Sequence, residues 1–282
     1  MNYILENNSY SIITNIEEAV KVGAVCARSW FRGHPKIYDH LDPKIFRGFY
    51  VDEVYSKFRT DSEQLIIEEF KRVAPSMYSK ITLESNDIDW LVLMQHYGVP
   101  TRLLDWTESI LIALYFTVKK SHDSDGELWV LYPLALNKRS AGFYAMPLRD
   151  NAFLQYLARE MNYSENKKTK LTKQLQIDGI PKYPLAFYPT LNFVRMVVQS
   201  SVFTIHPKPQ EENRIEDILE SDKFLFRYII PAKHKKKILE ELNALNIKNH
   251  KLFPDLDHLA QDIITESNIV AYSPPKPPRL KK

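Results

Sequence analysis

The chain has 282 residues, 44% hydrophobic and 26% charged, which is typical of a globular protein with one large core or two modest ones. Its net charge of +3 is too small to identify a nucleic-acid binder. The one cysteine, Cys26, excludes an intramolecular disulfide and a multi-cysteine zinc site. Without a basic leader or an apolar segment of about 20 residues, we expect a cytoplasmic protein with no membrane partner.

Apolar periodicity predicts helices and short strands in alternation. The predicted helices are Ile16–Cys26, Ser62–Met77, Ile88–Tyr97, Glu108–Lys120, Asn151–Glu160, His234–Leu245 and a last helix capped by Asp255 or Asp257 that ends near Glu266. The predicted strands are Trp30-Phe31, Glu127–Pro133, Phe193–Ile205 with a break at Ser200-Ser201, and Phe224–Ile230. We expect Asp87 to cap the third helix and Asp105 or Thr107 to cap the fourth. This pattern favours one α+β domain.

The segment Gln95–Thr107, with the sequence QHYGVPTRLLDWT, joins two of the predicted helices. Gly98 and Pro100 are sufficient to break the first helix and reverse the chain. The imidazole of His96 and the guanidinium of Arg102 are therefore polarity that a connector does not need. Such surplus polarity between apolar helices indicates a functional site.

Each polar residue of this segment also has a structural interpretation. His96 can cap the end of a helix, and Arg102 can pair with Asp105. Trp106 and Tyr97 can fill a core or stack on a planar ligand ring. The sequence alone leaves these alternatives open.

Arg32 lies in Trp30-Phe31-Arg32-Gly33, where a short predicted strand ends. A guanidinium in that position can bind a phosphate or a ribose with two parallel hydrogen bonds, or it can form a surface salt bridge. Arg47 repeats the pattern in Phe46-Arg47-Gly48. Seven glycines without a GxGxxG or GxxxxGK[ST] pattern argue against a glycine-rich phosphate loop.

Patterns that would identify a known type of catalytic site are scarce. The sequence contains neither HExxH nor GxSxG. His34 and His40, with Asp39 and Asp42, match no standard metal-ligand spacing, and we predict no metal site. One further interpretation is a metal-independent nuclease with His96 or His34 as general base.

Several of these stretches together resemble the FRG domain, a family named for its Phe-Arg-Gly motif. They are Trp30–Gly33, Gln95–Thr107, Ala113–Thr117, Arg195–Gln199, Val202–Thr204 and Leu252–Ala260, in the order of the family. The resemblance spans about residues 20–266, which leaves a lead-in at 1–19 and a Pro/Lys-rich tail at 267–282.

The same motif order is similar, more distantly, to the ADP-ribosyltransferase fold. This likeness implies a mixed central sheet flanked by helices and a site that takes NAD as a substrate. Arg32 would match the first-strand residue of that fold, and Leu104–Thr107 with Tyr115 would match its second element. The late strand would be Val194–Ile205, where Gln199 stands instead of the glutamate that stabilises the transition state.

The resemblance implies a set of site residues and a class of function. The catalytic candidates are Arg32, His96, Asp105 and Gln199, and the NAD-binding candidates are Arg32, Gly33, Arg102, Trp106, Thr107 and Tyr115. We predict that Arg32, the 96–107 segment and Tyr115 converge on one cleft. The implied function is that of a toxin or antiphage effector that modifies a macromolecule such as RNA or DNA and has an antitoxin or chaperone partner. The alternative, favoured by the missing glutamate, is a non-catalytic module that binds nucleotide or nucleic acid.

Overall fold

Seven strands of the described chain form one mixed sheet in the order β1-β7-β4-β2-β3-β6-β5. The computed structural model describes residues 11–47, 53–78, 86–159, 173, 182–207 and 214–267, without the side chains of 53–62 and 266. The strands are β1 (Ser11–Ile12), β2 (Trp30–His34), β3 (Leu103–Thr107), β4 (Gly126–Leu131), β5 (Leu185–Phe187), β6 (Ser201–Ile205) and β7 (Leu225–Ile230). β1 runs parallel to β7, whereas the other pairs are antiparallel.

Ten α-helices of the described chain accompany the sheet. They are α1 (Ile16–Val25), α2 (Glu53–Val73), α3 (Asp87–His96), α4 (Ile110–Val118), α5 (Pro133–Ala141), α6 (Ala152–Arg159), α7 (Val194–Val198), α8 (Ala232–Ala244), α9 (Asn249–Leu252) and α10 (Leu256–Glu266). Short 3-10 turns lie at Lys44–Phe46, Ala74–Ser76, Ile215–Asp217 and Ser221–Lys223. The expected combination of a mixed sheet with helices is confirmed.

The starts of α2, α3 and α4 differ from the prediction. The helix expected at Ser62 already begins at Glu53. Asn86, not Asp87, caps α3, because its side chain accepts from the backbone N–H of Asp89. Ser109 caps α4 in the same way, since Asp105 and Thr107 belong to β3. The Asp255 cap of the last helix is confirmed.

The largest error concerns the predicted late strand Phe193–Ile205. Only its second half, β6, is a strand, while α7 forms the first half. Within α7, Met196 is buried, whereas Val194 and Val197 are exposed, so the apolar residues do not alternate across a sheet. Ser200 adopts a left-handed φ of 46° between the two elements and redirects the chain.

Different apolar clusters cover the two faces of the sheet. One cluster contains α4 side chains together with Phe31, Leu128 and Val130. Another gathers Trp30, Trp106 and Trp129 with their apolar neighbours. Because residues alternate along β2, Arg32 and His34 lie on the tryptophan side of the sheet. The expected tail at 267–282 lies outside the described residues, apart from Ser267.

Candidate functional site

The site is built where β2 and β3 separate. These strands pair at one position, Phe31 with Thr107, although β2 pairs with β4 over five residues. Arg32 bridges the two strands, since its Nη1 donates to the backbone oxygen of Asp105. The same nitrogen lies 3.8 Å from the Asp105 carboxylate, whose side chain is 56% exposed. A guanidinium and an accessible carboxylate therefore meet at this gap.

A hydrogen-bond chain through His34 to Glu127 orients the Arg32 guanidinium. Arg32 Nε donates to His34 Nε2 at 2.8 Å, so this ring nitrogen must carry a lone pair. His34 Nδ1 is then the protonated nitrogen, and it donates to Glu127 Oε1 at 2.7 Å. Burial, followed by the charge of Arg32, lowers the pKa of His34 to about 4, in agreement with a neutral ring.

Glu127 accepts from the neutral His34 and lies beside one cation, Arg227, within the sheet. Its carboxylate is almost completely buried, and Oε2 lies 3.5 Å from Arg227 Nη1. The Arg227 guanidinium in turn lies 5.3 Å from the centre of the Trp129 ring. Glu127 was not predicted as a site residue, but a glutamate within an otherwise apolar strand is a signal that could have found it.

Arg32 retains hydrogen-bonding capacity toward a ligand. Its Nη2 donates to none of the described residues, and 13% of the side chain is exposed. Burial lowers the pKa of Arg32 to about 10, an effect that Asp105 opposes and that the charge of Arg47 reinforces. The two arginines of the Phe-Arg-Gly motifs therefore repel each other, and an anion bound at Arg32 would offset this repulsion.

Asp105 is oriented by a short hydrogen-bond chain. Gln95 Nε2 donates to Asp105 Oδ2 at 2.7 Å, and Gln95 Oε1 accepts from Thr101 Oγ1 at 2.7 Å. Thr101 Oγ1 also accepts from the backbone N–H of Leu103. Gln95 and Thr101 were not proposed as site residues, although both lie in the segment that the sequence identified. These hydrogen bonds fix the position of the Asp105 carboxylate, which is otherwise open to solvent.

Residues 27–126 match the FRG domain family. The match covers about a third of the chain and includes both Arg32 and the Gln95–Thr107 segment, so it supports the resemblance that these motifs carry. The comparisons found no matching curated protein and no matching solved structure. None of them returned an ADP-ribosyltransferase.

Within the FRG match, Gly33 has a packing role. A Cβ at this position would lie 1.9 Å from the backbone oxygen of Ala113 and 2.4 Å from Thr117 Oγ1. Glycine therefore allows α4 to pack directly on β2, next to Arg32. This close packing is a sufficient reason for a glycine at position 33, and it does not require that Gly33 contact NAD.

Arg102 does not pair with Asp105 as the sequence suggested. Its side chain is fully buried and forms an ion pair with Glu63, and Nη1 also donates to the backbone oxygen of Leu157. Arg102 thus fastens β3 to α2 and α6, and it presents no surface to a ligand in this structure. The buried guanidinium of Arg102 needs an ion-pair partner, and α2, a helix far away in the sequence, supplies it.

Trp106 is buried in the tryptophan cluster, on the side of the sheet where Arg32 lies. Its Nε1 donates to Thr204 Oγ1 at 3.1 Å, and that hydroxyl lies 3.0 Å from His206 Nε2. The Thr204 hydroxyl, which accepts from Trp106, donates to a neutral His206. Burial, then the charges of Arg32 and Arg102, lower the pKa of His206 to about 3.

Tyr115 and Gln199 do not join Arg32. The hydroxyl of Tyr115 donates to Asn249 Oδ1 at 3.3 Å, and burial raises its pKa to about 12. Gln199 follows α7, and its Nε2 donates to the backbone oxygen of Leu252 at 2.9 Å. Both contacts lie on the α4 side of the sheet. Of the residues predicted to converge, Arg32 and Asp105 meet, whereas Tyr115 lies elsewhere; the catalytic candidate Gln199 also lies away from Arg32.

Thr107 and His96 have local partners. Thr107 Oγ1 donates to the Gln199 backbone oxygen at 2.7 Å and accepts from the N–H of Ser109, so it shapes the turn into α4. His96 ends α3, and its ring stacks on Phe193. Burial, then the charge of Arg195, lower the pKa of His96.

Within the described ranges, no three side chains of His, Cys, Asp and Glu gather as metal ligands would. No helix in the same ranges has both the length and the apolar character needed to cross a bilayer.

Proposed function

We propose that the Arg32 site binds the phosphates of NAD and that the protein is an ADP-ribosyltransferase-like effector that modifies a macromolecule such as nucleic acid. One observation carries this proposal: Arg32 has an Nη2 that donates to none of the described residues, beside the exposed carboxylate of Asp105. A guanidinium fork suits a pyrophosphate, and His34 holds that fork in one orientation. The positive charge of Arg47 also acts on Arg32.

We assign to Asp105 the electrostatic role that the sequence had given to Gln199. In ADP-ribosyl transfer, the bond between ribose C1′ and the nicotinamide nitrogen breaks, and its electron pair leaves with nicotinamide. A nucleophile of the target then forms a bond to C1′ and loses its proton. Positive charge develops on the ribose in between, and a fixed carboxylate stabilises it. Gln95 fixes the carboxylate of Asp105.

A second candidate is a module that binds a nucleotide without chemistry. The placement of Gln199 favours it, because the amide bonds to Leu252 and does not face Arg32. This candidate uses the same Arg32 site, but it predicts no release of nicotinamide.

Calorimetry with NAD, followed by incubation of the protein with labelled NAD and cell lysate, tests both candidates. The transferase predicts NAD binding, nicotinamide release and label on protein, RNA or DNA. Asp105→Asn keeps the shape of the side chain and should abolish transfer while binding persists, whereas Arg32→Lys should weaken binding. Lys21→Gln, a change at an exposed lysine of α1, is the control. NAD binding without transfer would support the module, and absence of NAD binding would contradict the transferase.

A further inference from the structure

A platform of four aromatic rings lies outside the Arg32 site. The His96 and Phe193 rings stack with centroids 4.0 Å apart and planes 9° apart. Tyr97 meets these rings edge-on at 5.0 and 6.2 Å, and Tyr78 lies 5.5 Å from Phe193. Tyr97 is 59% exposed, so the platform presents a ring to solvent. We call Tyr78, His96, Tyr97 and Phe193 the aromatic platform.

Two cations continue this surface from the platform. Arg195 Nη1 lies 3.4 Å from the backbone oxygen of His96, to which it donates. Its Cζ is 5.0 Å from the centre of the Phe253 ring, and Lys119 Nζ is 4.5 Å from the same centre. Lys119 also lies 4.7 Å from the ring of Phe116. Arg195 and Lys119 form the basic end of the strip.

The positive charge at the basic end is not neutralised by the described residues. Neither Arg195 nor Lys119 forms an ion pair with a described residue, whereas Lys71, Arg102 and Arg227 each do. Burial, then the charges of Lys120 and Arg195, lower the pKa of Lys119 to about 8. An anion bound beside both cations would therefore be stabilised by each of them.

We propose that this strip binds single-stranded nucleic acid, with bases stacked on the aromatic platform and backbone phosphates beside Arg195 and Lys119. An exposed ring next to unpaired cations is the combination that single-strand binders use, because every base has a face that can stack. Duplex bases are already stacked on each other and cannot use Tyr97 in this way. Single-stranded nucleic acid would then be the target class of the proposed function, on which this assignment rests. Binding of nucleic acid to the strip does not itself require ADP-ribosyl transfer.

Fluorescence anisotropy on the full chain tests the proposal with labelled oligonucleotides of dT or rU, about 12 nucleotides long. The unmodified protein should bind at least one of them, with an affinity that falls as salt increases. The double variant Arg195→Gln/Lys119→Gln should bind at least about tenfold more weakly. Its slope of log K against log salt should fall by about 1.4, because each phosphate contact to a single strand contributes about 0.7.

Tyr97→Ala separates stacking from charge. This exposed ring can be removed without opening the core, and we expect a loss of affinity of about fivefold or more with an unchanged salt slope. The charge-conserving variant Arg195→Lys/Lys119→Arg should retain most of the affinity. Lys21→Gln removes one exposed positive charge on α1 and should leave binding unchanged.

Several results would overturn the inference. They are failure of the unmodified protein to bind either oligonucleotide, an equal loss of affinity in Lys21→Gln, and stronger binding to a duplex of the same length. Binding of polyglutamate in place of the oligonucleotides would assign the strip to an acidic protein partner instead. NAD binding by Arg195→Gln/Lys119→Gln should be normal, so failure of this inference is distinguishable from failure of the proposed function.

Discussion

Arg32 Nε donates to the neutral His34 ring across 2.8 Å, and His34 in turn donates to the buried carboxylate of Glu127. Protonation of His34 would remove the acceptor that Arg32 uses. The orientation of the arginine at the candidate site therefore depends on the protonation state of a second residue on the same strand. Glu127 belongs to β4, which pairs with the central strand β2.

We predict that His34→Gln loosens Arg32 and destabilises the fold. The buried carboxylate of Glu127 loses a hydrogen bond, which costs about 1–3 kcal/mol in the free energy of unfolding. Urea denaturation of the purified variant measures this loss. His258→Gln is the matched control, because His258 has an exposed carboxylate partner, and it should change stability by less than about 1 kcal/mol. Equal effects of the two changes would contradict the assigned role.

We predict that acid destabilises the protein through His34 and His206. Their folded pKa values of about 4 and about 3 lie below the ordinary 6.5. Between pH 6.5 and the folded pKa of each histidine, the unfolded chain binds a proton that the folded chain does not. The free energy of unfolding is therefore greatest above pH 6.5 and falls as the pH decreases. The decrease is up to about 1.4 kcal/mol per pH unit for each histidine.

Urea denaturation of the unmodified protein and of His206→Gln at several pH values checks this dependence. The variant should show a shallower loss of stability between about pH 6.5 and about pH 5, by close to one proton. Identical pH dependences would show that His206 is not a buried neutral histidine.

We predict that Gly33→Ala disrupts packing of α4 on β2. The added methyl group would lie 1.9 Å from a backbone oxygen that cannot move without shifting the helix. A loss of several kcal/mol or a failure to fold is expected, and thermal melts would measure it. At Gly98, φ is +77° but the space is open, so Gly98→Ala should cost only about 1 kcal/mol. Similar melting temperatures for the two variants would contradict the packing role.

We predict strong coupling between Arg102 and Glu63. Arg102→Met leaves the buried Glu63 carboxylate without its partner and should cost about 3–5 kcal/mol in unfolding free energy. Adding Glu63→Met should recover a large part of that loss, because both desolvated charges are then absent. A double-mutant cycle by urea denaturation provides the test. Additive losses would mean that the two side chains act independently.

Local patterns in the sequence were sufficient to predict many elements. The apolar residues of α4 and the alternation of β7 are properties of short segments, and they predicted both elements to within a few residues. The surplus polarity of Gln95–Thr107 likewise identified the segment that contributes Asp105. The Phe193–Ile205 stretch misled because valines at 194 and 197 favour strands, whereas the structure leaves them exposed on a short helix.

Only the tertiary structure decided which polar residues meet. Arg32 and Asp105 are 73 residues apart, and Glu127 is 93 residues from His34, so no local pattern could pair them. The sequence proposed both Arg102 and Tyr115 as site residues. In the structure, α2 and α9 supply them with other partners, Glu63 and Asn249. The sequence determined which polar and charged side chains are available for binding or catalysis. Strand order determined which of them share a gap in the sheet, because pairing brings distant segments within hydrogen-bonding distance.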